Sequence, residues 1–437
     1  MNSLRRDWNE FWFSPISSVP LGVFRMVYGA LALAYTLLLF PERFVWFGSR
    51  GVLPLAESDI YNGTGAGALH LNLLAFPGAD HWLTLFFVVL ILACISLIIG
   101  FWSRASAVII YLCINTLHSR NAVIHHSGDT VMLVMAAYLA LSPAGAACSI
   151  DRLRRIFRGK ESDTPPLIVP WAQRLMQLQV ATVYLGAILS KAGGEKWVNG
   201  TAAYYPIHLS ESARFPMLGS DTLWVINLVT WGTMAIELAL ATLIWVPRLR
   251  LYVLASGVML HLGIEYSLNI PLFSFMMIST YITFLTAADF QNFLAWVKRP
   301  LQLTPLRLVY DGECDFCRSS LLAVRFLDVF RQITFIDSHD EAAREAAGVR
   351  FEDAEEAAIA VNPAGRQFAG FDAFRAIAFQ LPATALLAPI LYLLPIPQLG
   401  RRAYGWIKEN RSRLPIAARY QGRMAEKEPE RETLPLN

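Results

Sequence analysis

Long apolar runs separated by short polar connections dominate the first 290 residues. They fall at roughly 20–40, 82–100, 104–119, 128–142, 171–190, 222–246, 249–266 and 270–287. A straight membrane-crossing helix needs about 20 mostly apolar residues. The pattern therefore predicts a multi-pass α-helical membrane bundle of about eight spans. The third and fourth runs are short enough to be tilted, or to form a re-entrant pair inside the bundle. Beyond Lys298-Arg-Pro300 the pattern changes to charged and alternating. Alternation at 306–310, 333–336 and 357–361 predicts strands, and helical periodicity at 318–330 and 371–379 predicts helices, so a small cytosolic α/β domain follows. The run 381–399 is interrupted by Pro382, Pro389, Pro395 and Pro397, which argues against a further span. The expected organisation is a membrane domain over 1–299, a linker at 300–305, the α/β domain over 306–423 and a charge-rich, disordered tail at 424–437.

Composition agrees with membrane insertion. The chain is 55% hydrophobic and 16% charged, against about 25% charged in soluble domains. A net charge of +3 is too small to argue for nucleic acid as a partner. Lys/Arg clusters orient the spans. Arg104, the series Arg152 to Lys160, Arg248 with Arg250, and Lys298 with Arg299 all fall on one side if both termini are cytoplasmic. The expected location is thus a bacterial cytoplasmic membrane, with no cleavable signal at the N-terminus. The turn His118–His126, the loop opening at Lys191 and the turn at Glu265–Asn269 then emerge together on the opposite face.

Two kinds of candidate chemistry stand out. Asp311-Gly-Glu-Cys314-Asp-Phe-Cys317 lies between a predicted strand and a predicted helix. A thiol at a helix N-terminus meets free N–H groups that favour thiolate, and a second thiol three residues later can resolve a mixed disulfide. Half a zinc site is the alternative, but no second cysteine pair exists. Asp311, Glu313 and Asp315 oppose the helix dipole and predict a less acidic nucleophile than in strongly oxidising dithiols. Cys94, Cys113 and Cys148 read as small core residues.

In the apolar part, Lys191 ends a run and is followed by Gly193-Gly194 and Trp197. Its bland reading is an interfacial anchor. Gln177 sits in a glutamine-rich start, Glu237 lies inside the sixth run, and His261 with Glu265 share a face at i, i+4. Each is either a satisfied structural group or a site residue. His125 and His126 precede Asp129, which can cap the following helix. Paired histidines raise a metal, but the spacings of membrane di-iron enzymes are absent, and no metal is expected.

Tyr310-Asp-Gly-x-Cys-x-x-Cys317, with Gly370-Phe-Asp-Ala373 and the stretch from Tyr404, resembles the DCC family of thiol–disulfide oxidoreductases. That resemblance implies a thioredoxin-like fold, a redox-active dithiol and a thiol-containing protein partner. Roughly 10–290 resembles the horizontally transferred transmembrane domain of vitamin K-dependent gamma-glutamyl carboxylase. The match runs through Arg25-Met-Val-Tyr-Gly29, His118-Ser-Arg-Asn121 to Asp129, Ser149-Ile-Asp151, and Gln177 to Gly200. It implies a catalytic base at Lys191, an active-site histidine at His126, and a membrane quinone or quinol, vitamin K-like, as cofactor. His125, Gln177, Trp197, Glu237, His261 and Glu265 are the candidate quinone-binding residues. Deprotonating a quinol hydroxyl needs a base that is neutral when it acts, and His126 can hydrogen-bond the quinol oxygen. The leading expectation is an integral-membrane oxidoreductase with quinol-linked, carboxylase- or epoxidase-like chemistry at the lysine/histidine site and a Cys-x-x-Cys protein-disulfide reductase domain. A transporter or lipid-modifying protein with a redox-regulatory dithiol, and a membrane anchor for a disulfide reductase, remain open.

Overall fold

The computed structural model describes residues 2–410, apart from 56, 59–70, 77, 159, 162–163, 218, 302 and 386. The expected tail at 424–437 and the end of the α/β domain after 410 lie outside the described residues. The chain divides into two compact units, residues 1–151 with 165–287, and 152–164 with residues from 288 onward.

Helices occupy every apolar run of the first unit: α1 (Val19–Leu39), α2 (Asp80–Ile99), α3 (Ser103–Arg120), α4 (Ser127–Leu141), α5 (Trp171–Ala192), α6 (Leu223–Thr242), α7 (Arg250–Ser267) and α8 (Phe273–Thr280). Among the described residues, three segments are long and apolar enough to cross a membrane: Val19–Leu39, Asp80–Ile99 and Leu223–Trp245. Counting the broken pair Phe273–Phe284 and Ala287–Leu301 as one span makes four. Of the eight expected spans, three or four therefore meet this length and apolarity. At 1.5 Å per residue the 15-residue α4 reaches only about 22 Å. The last turns of α3 bury the polar Asn115, Thr116, His118, Ser119 and Arg120 alongside Ile114 and Leu117. The run expected at 270–287 ends α8 at Thr280, continues as a short 3-10 turn (Tyr281–Phe284) and breaks at Leu285.

The outer faces of the longest helices are apolar. Leu92 and Leu238 are exposed, and on α7 so is Met259. Large exposed apolar surface of this kind suits hydrocarbon contact. Inside, Phe24, Tyr28, Phe87, Leu97, Ile114 and Met135 belong to one continuous core.

The Arg-x-x-Tyr-Gly pattern of α1 works by pinning neighbouring elements. Arg25 is fully buried and its Nη2 donates to the Cys148 carbonyl at 2.5 Å. Tyr28 Oη donates to the Met132 carbonyl at 2.8 Å. Gly100 ends α2 at φ 71°, a left-handed position that glycine fills without strain. A Cβ there would stand 1.7 Å from Arg25 Nη1. Asp151 caps α3, its two carboxylate oxygens accepting at 2.9 Å from the Trp102 and Ser103 N–H groups.

In the second unit, β1 (Leu306–Tyr310) is central in a four-stranded sheet of order β2-β1-β3-β4. It pairs in parallel with β2 (Ile333–Asp337) and antiparallel with β3 (Ile359–Val361). β3 pairs antiparallel with β4 (Gln367–Ala369). The helix α9 (Asp315–Leu327) connects β1 to β2, and α10 (Phe371–Ala378) follows β4. β1 is buried on both faces: Leu308 and Tyr310 join Leu321, Leu322 and Ile377, while Val309 joins Val349 and Val361. The third strand is shorter than the expected 357–361. The fourth was not expected, because three residues with only a half-buried centre leave no readable alternation. The run 381–399 breaks into a 3-10 turn at Ala388–Tyr392 and the start of a helix at Ile396–Asn410.

Candidate redox and proton-transfer sites

Cys314 is the N-cap of α9, and its sulfur accepts the Cys317 N–H at 3.2 Å. The turn that delivers it is built by Asp311, whose Oδ1 accepts the Glu313 N–H at 3.0 Å and the Cys314 N–H at 3.2 Å. Arg318 Nη1 holds the same turn through the Gly312 carbonyl at 2.8 Å. Gly312 is dictated by closeness, since a Cβ would lie 2.0 Å from Asp337 Oδ2. Both cysteines are half-buried, and their sulfurs lie with an Asp311 oxygen inside 4.8 Å. The side chain of Asp315 lies outside the described residues. At the rim, His339 Nδ1 is 3.2 Å from Asp337 Oδ1 and its Nε2 is 3.9 Å from Glu313 Oε1. A helix N-cap, an N–H aimed at the first sulfur and a second thiol one turn on are what dithiol exchange requires.

The membrane unit assembles its polar groups across several helices. Lys191 lies in the last turn of α5, where the helix dipole favours a cation. Its ammonium donates to Glu237 Oε1 on α6 and lies 4.9 Å from the centre of the Trp197 ring. The Gly193-Gly194 turn folds the chain back so that Trp197 meets the lysine. The two side chains are 19% and 9% exposed, so the pair is largely withdrawn from solvent. Tyr184 is two turns earlier on α5. Its hydroxyl lies 2.7 Å from His261 Nε2 on α7 and 2.5 Å from the Tyr281 hydroxyl. Two buried atoms here lack a hydrogen-bond partner: Glu237 Oε2 and His261 Nδ1. Buried polar atoms are rarely left so. A ligand with hydroxyl or carbonyl groups would satisfy them.

Lys191, Trp197 and Glu237 therefore meet, and His261 lies in the Tyr184 network. The other candidates go elsewhere. Gln177 Nε2, with Gln173 Nε2, donates to the Thr283 carbonyl at 2.7 Å and 2.6 Å, satisfying the end of the broken segment. Glu265, one turn beyond His261 on α7, accepts from Arg214 Nη1 at 2.6 Å. His126 is the N-cap of α4: its Nδ1 accepts the Gly128 N–H at 3.1 Å and its own N–H donates to Asp129 Oδ2 at 3.0 Å. His125 stands against His118, ring centres 3.7 Å apart. The lysine's ion-pair partner is thus Glu237, not His126. Tyr184, Tyr281 and His118 are not among the site residues expected from the sequence. A lone tyrosine or histidine in an apolar run carries no local signal, and their partners are 97, 77 and 7 residues away.

Residues 62–288 match the HTTM domain family, and residues 308–417 match the family of DCC1-like thiol-disulfide oxidoreductases. Over 177 residues the chain is 30% identical to the sporulation-delaying protein SdpB of Bacillus subtilis (strain 168), covering 38% of this chain and 52% of that protein. Over 136 residues it is 24% identical to the uncharacterized protein YitO of the same organism, covering 29% of this chain and 43% of that protein. The chain thus spans about half the length of the curated relatives it matches. No solved structure matches it.

Proposed function

We propose that this chain, which belongs to the HTTM domain family and carries a DCC1-like thiol-disulfide oxidoreductase domain, is an integral-membrane redox enzyme with two chemically distinct sites. The observation that carries the reading is Cys314 at the helix N-cap with the Cys317 N–H on its sulfur. Cys314 thiolate attacks a disulfide of a protein partner, expelling one partner thiolate and forming a mixed disulfide. Cys317 attacks that bond in turn, releasing the second partner thiolate and leaving Cys314–Cys317 oxidised. Two electrons pass to the partner. The strand order β2-β1-β3-β4, with the dithiol after the central strand, supports a thioredoxin-like reading of this unit. Full-length protein should reduce a disulfide peptide in the presence of a thiol reductant. Cys314→Ser should abolish this, and unchanged turnover would end the assignment.

The membrane unit is assigned proton transfer to and from a quinol. Lys191 begins as an ammonium paired with Glu237. A base that takes a quinol proton must be neutral when it acts, so the step requires the Lys191 proton to pass along this contact to Glu237 Oε1. The amine then takes the proton of one quinol hydroxyl; the quinolate is oxidised to quinone, giving two electrons and its remaining hydroxyl proton to dioxygen, which takes the proton back from Lys191 and leaves as hydrogen peroxide. The orphaned Glu237 Oε2 and His261 Nδ1 support a ligand at this place. An apolar groove of about 350 Å³ lined by Leu85, Phe86, Val89, Ile109 and Leu112 offers a lodging for an isoprenoid tail in the same unit. A bacterial cytoplasmic membrane with cytoplasmic termini is the setting proposed from the Lys/Arg clusters.

A further inference from the structure

The turn between α3 and α4 holds a second constellation that neither site uses. His118 leaves the last turn of α3, His125 follows the short 3-10 turn Ala122–Ile124, and Asp129 lies in the first turn of α4. One donor atom from each, two imidazole nitrogens and a carboxylate oxygen, lie within 4.8 Å of one another. His118 is 6% exposed, and neither of its ring nitrogens has a hydrogen-bond partner. A buried imidazole without a partner leaves an N–H and a lone pair unsatisfied. The His118 and His125 rings meet at 3.7 Å between centres, tilted 74°, with no hydrogen bond to account for the approach. Asp129 is 2% exposed. One of its oxygens accepts the His126 N–H, while the other is 3.6 Å from His126 Nε2, beyond hydrogen-bonding range.

We propose that His118, His125 and Asp129 bind a divalent first-row transition ion of the zinc or iron(II) kind. Two neutral imidazoles and one carboxylate are the donor set such ions take, whereas magnesium and calcium prefer all-oxygen shells. Donors held at about 2.0–2.2 Å from a tetrahedral ion stand about 3.3–3.6 Å apart, so the three atoms, now within 4.8 Å of one another, draw together by up to about 1.5 Å through side-chain rotation on binding. The positive charge nearest in sequence is turned away: Arg120 donates to the Gly48 and Leu53 carbonyls at 2.6 Å and 2.8 Å. Three protein ligands leave a coordination position for water or a ligand oxygen. This site stands independently of the quinol reading, because its readout is binding of the metal itself.

Metal titration tests it on full-length, chelator-stripped protein in detergent, with Cys314→Ser and Cys317→Ser present so that the dithiol cannot contribute. The expected result is one equivalent of Zn²⁺ per chain, with d–d absorption when Co²⁺ replaces it and no competition from millimolar Mg²⁺. His125→Ala and His118→Ala should each weaken Zn²⁺ binding by at least about 10-fold. His125 is exposed, so its removal leaves the buried core in place and keeps the test meaningful if the His118 variant fails to fold. Absence of saturable equimolar binding, or unchanged affinity in His125→Ala, overturns the proposal.

Discussion

The two units build chemistry in opposite ways. In the second unit the working groups sit within seven residues, Asp311 to Cys317, and the helix that presents them also orients them. In the first, the Lys191–Glu237 pair spans 46 residues and the Tyr184–Tyr281 contact 97, and the two partners of each come from different elements. A local site survives any change that preserves one turn. A distributed site is tied to bundle packing, so mutation there is expected to affect stability and chemistry together.

The largest expected effect falls on the local site. Cys314→Ser should lower disulfide reduction by at least about 1,000-fold with no change in thermal unfolding, because one exchanged atom carries the attack. Cys317→Ser should instead accumulate a mixed disulfide with the partner, seen as a mass adduct on Cys314. If both variants behaved alike, the division into attacking and resolving thiols would fail.

Next comes the distributed pair. Glu237→Gln leaves a buried ammonium without its counter-charge and should cost about 3–5 kcal/mol in unfolding measurements. The double substitution Lys191→Met with Glu237→Leu should cost clearly less than the sum of the singles, since removing both charges removes the desolvation problem. Strict additivity would show that the pair is exposed and weak.

Tyr281→Phe deletes one hydrogen bond of the Tyr184 hydroxyl and should cost about 1 kcal/mol. The smallest effect is a pH dependence in the second unit. Asp328 accepts the Gln332 and Ile333 N–H groups at 2.8 Å each, yet burial dominates and raises its carboxyl above the usual 3.8. The folded state therefore holds this proton more tightly than the unfolded chain. The resulting stability is present below the unfolded value and is lost as pH rises through the folded one. Hydrogen exchange of the β1 amides should thus show protection falling across that window, and Asp328→Asn should flatten the trend.

The same contrast explains what could be read in advance. Each of the eight apolar runs located a helix of the first unit, because burial among helices and contact with lipid both demand apolar residues. They do not separate the two demands: α4 is as apolar as a crossing helix but only 15 residues long, and the last turns of α3 carry buried polar side chains. The dithiol was legible because helix capping and i, i+3 spacing are local. Lys191, Trp197 and Glu237 were each picked out as polar or aromatic anomalies, but nothing in the sequence paired the lysine with Glu237. Glu265 and Gln177 looked equally anomalous and proved to satisfy Arg214 and a free carbonyl. Polarity in an apolar run marks a group that needs a partner; only the packing says which partner it finds.

Quinol-dependent oxygen uptake by the full chain in proteoliposomes, comparing wild type with Lys191→Ala, tests most directly whether the membrane unit has its own proton-transfer site. Uptake should fall at least about 100-fold, the scale of losing a positioned base, while disulfide reduction at Cys314 stays at the wild-type rate and thermal unfolding confirms a folded bundle. Uptake at the wild-type rate in a folded Lys191→Ala protein would contradict it, and would return this lysine to the role of an anchor at the membrane surface.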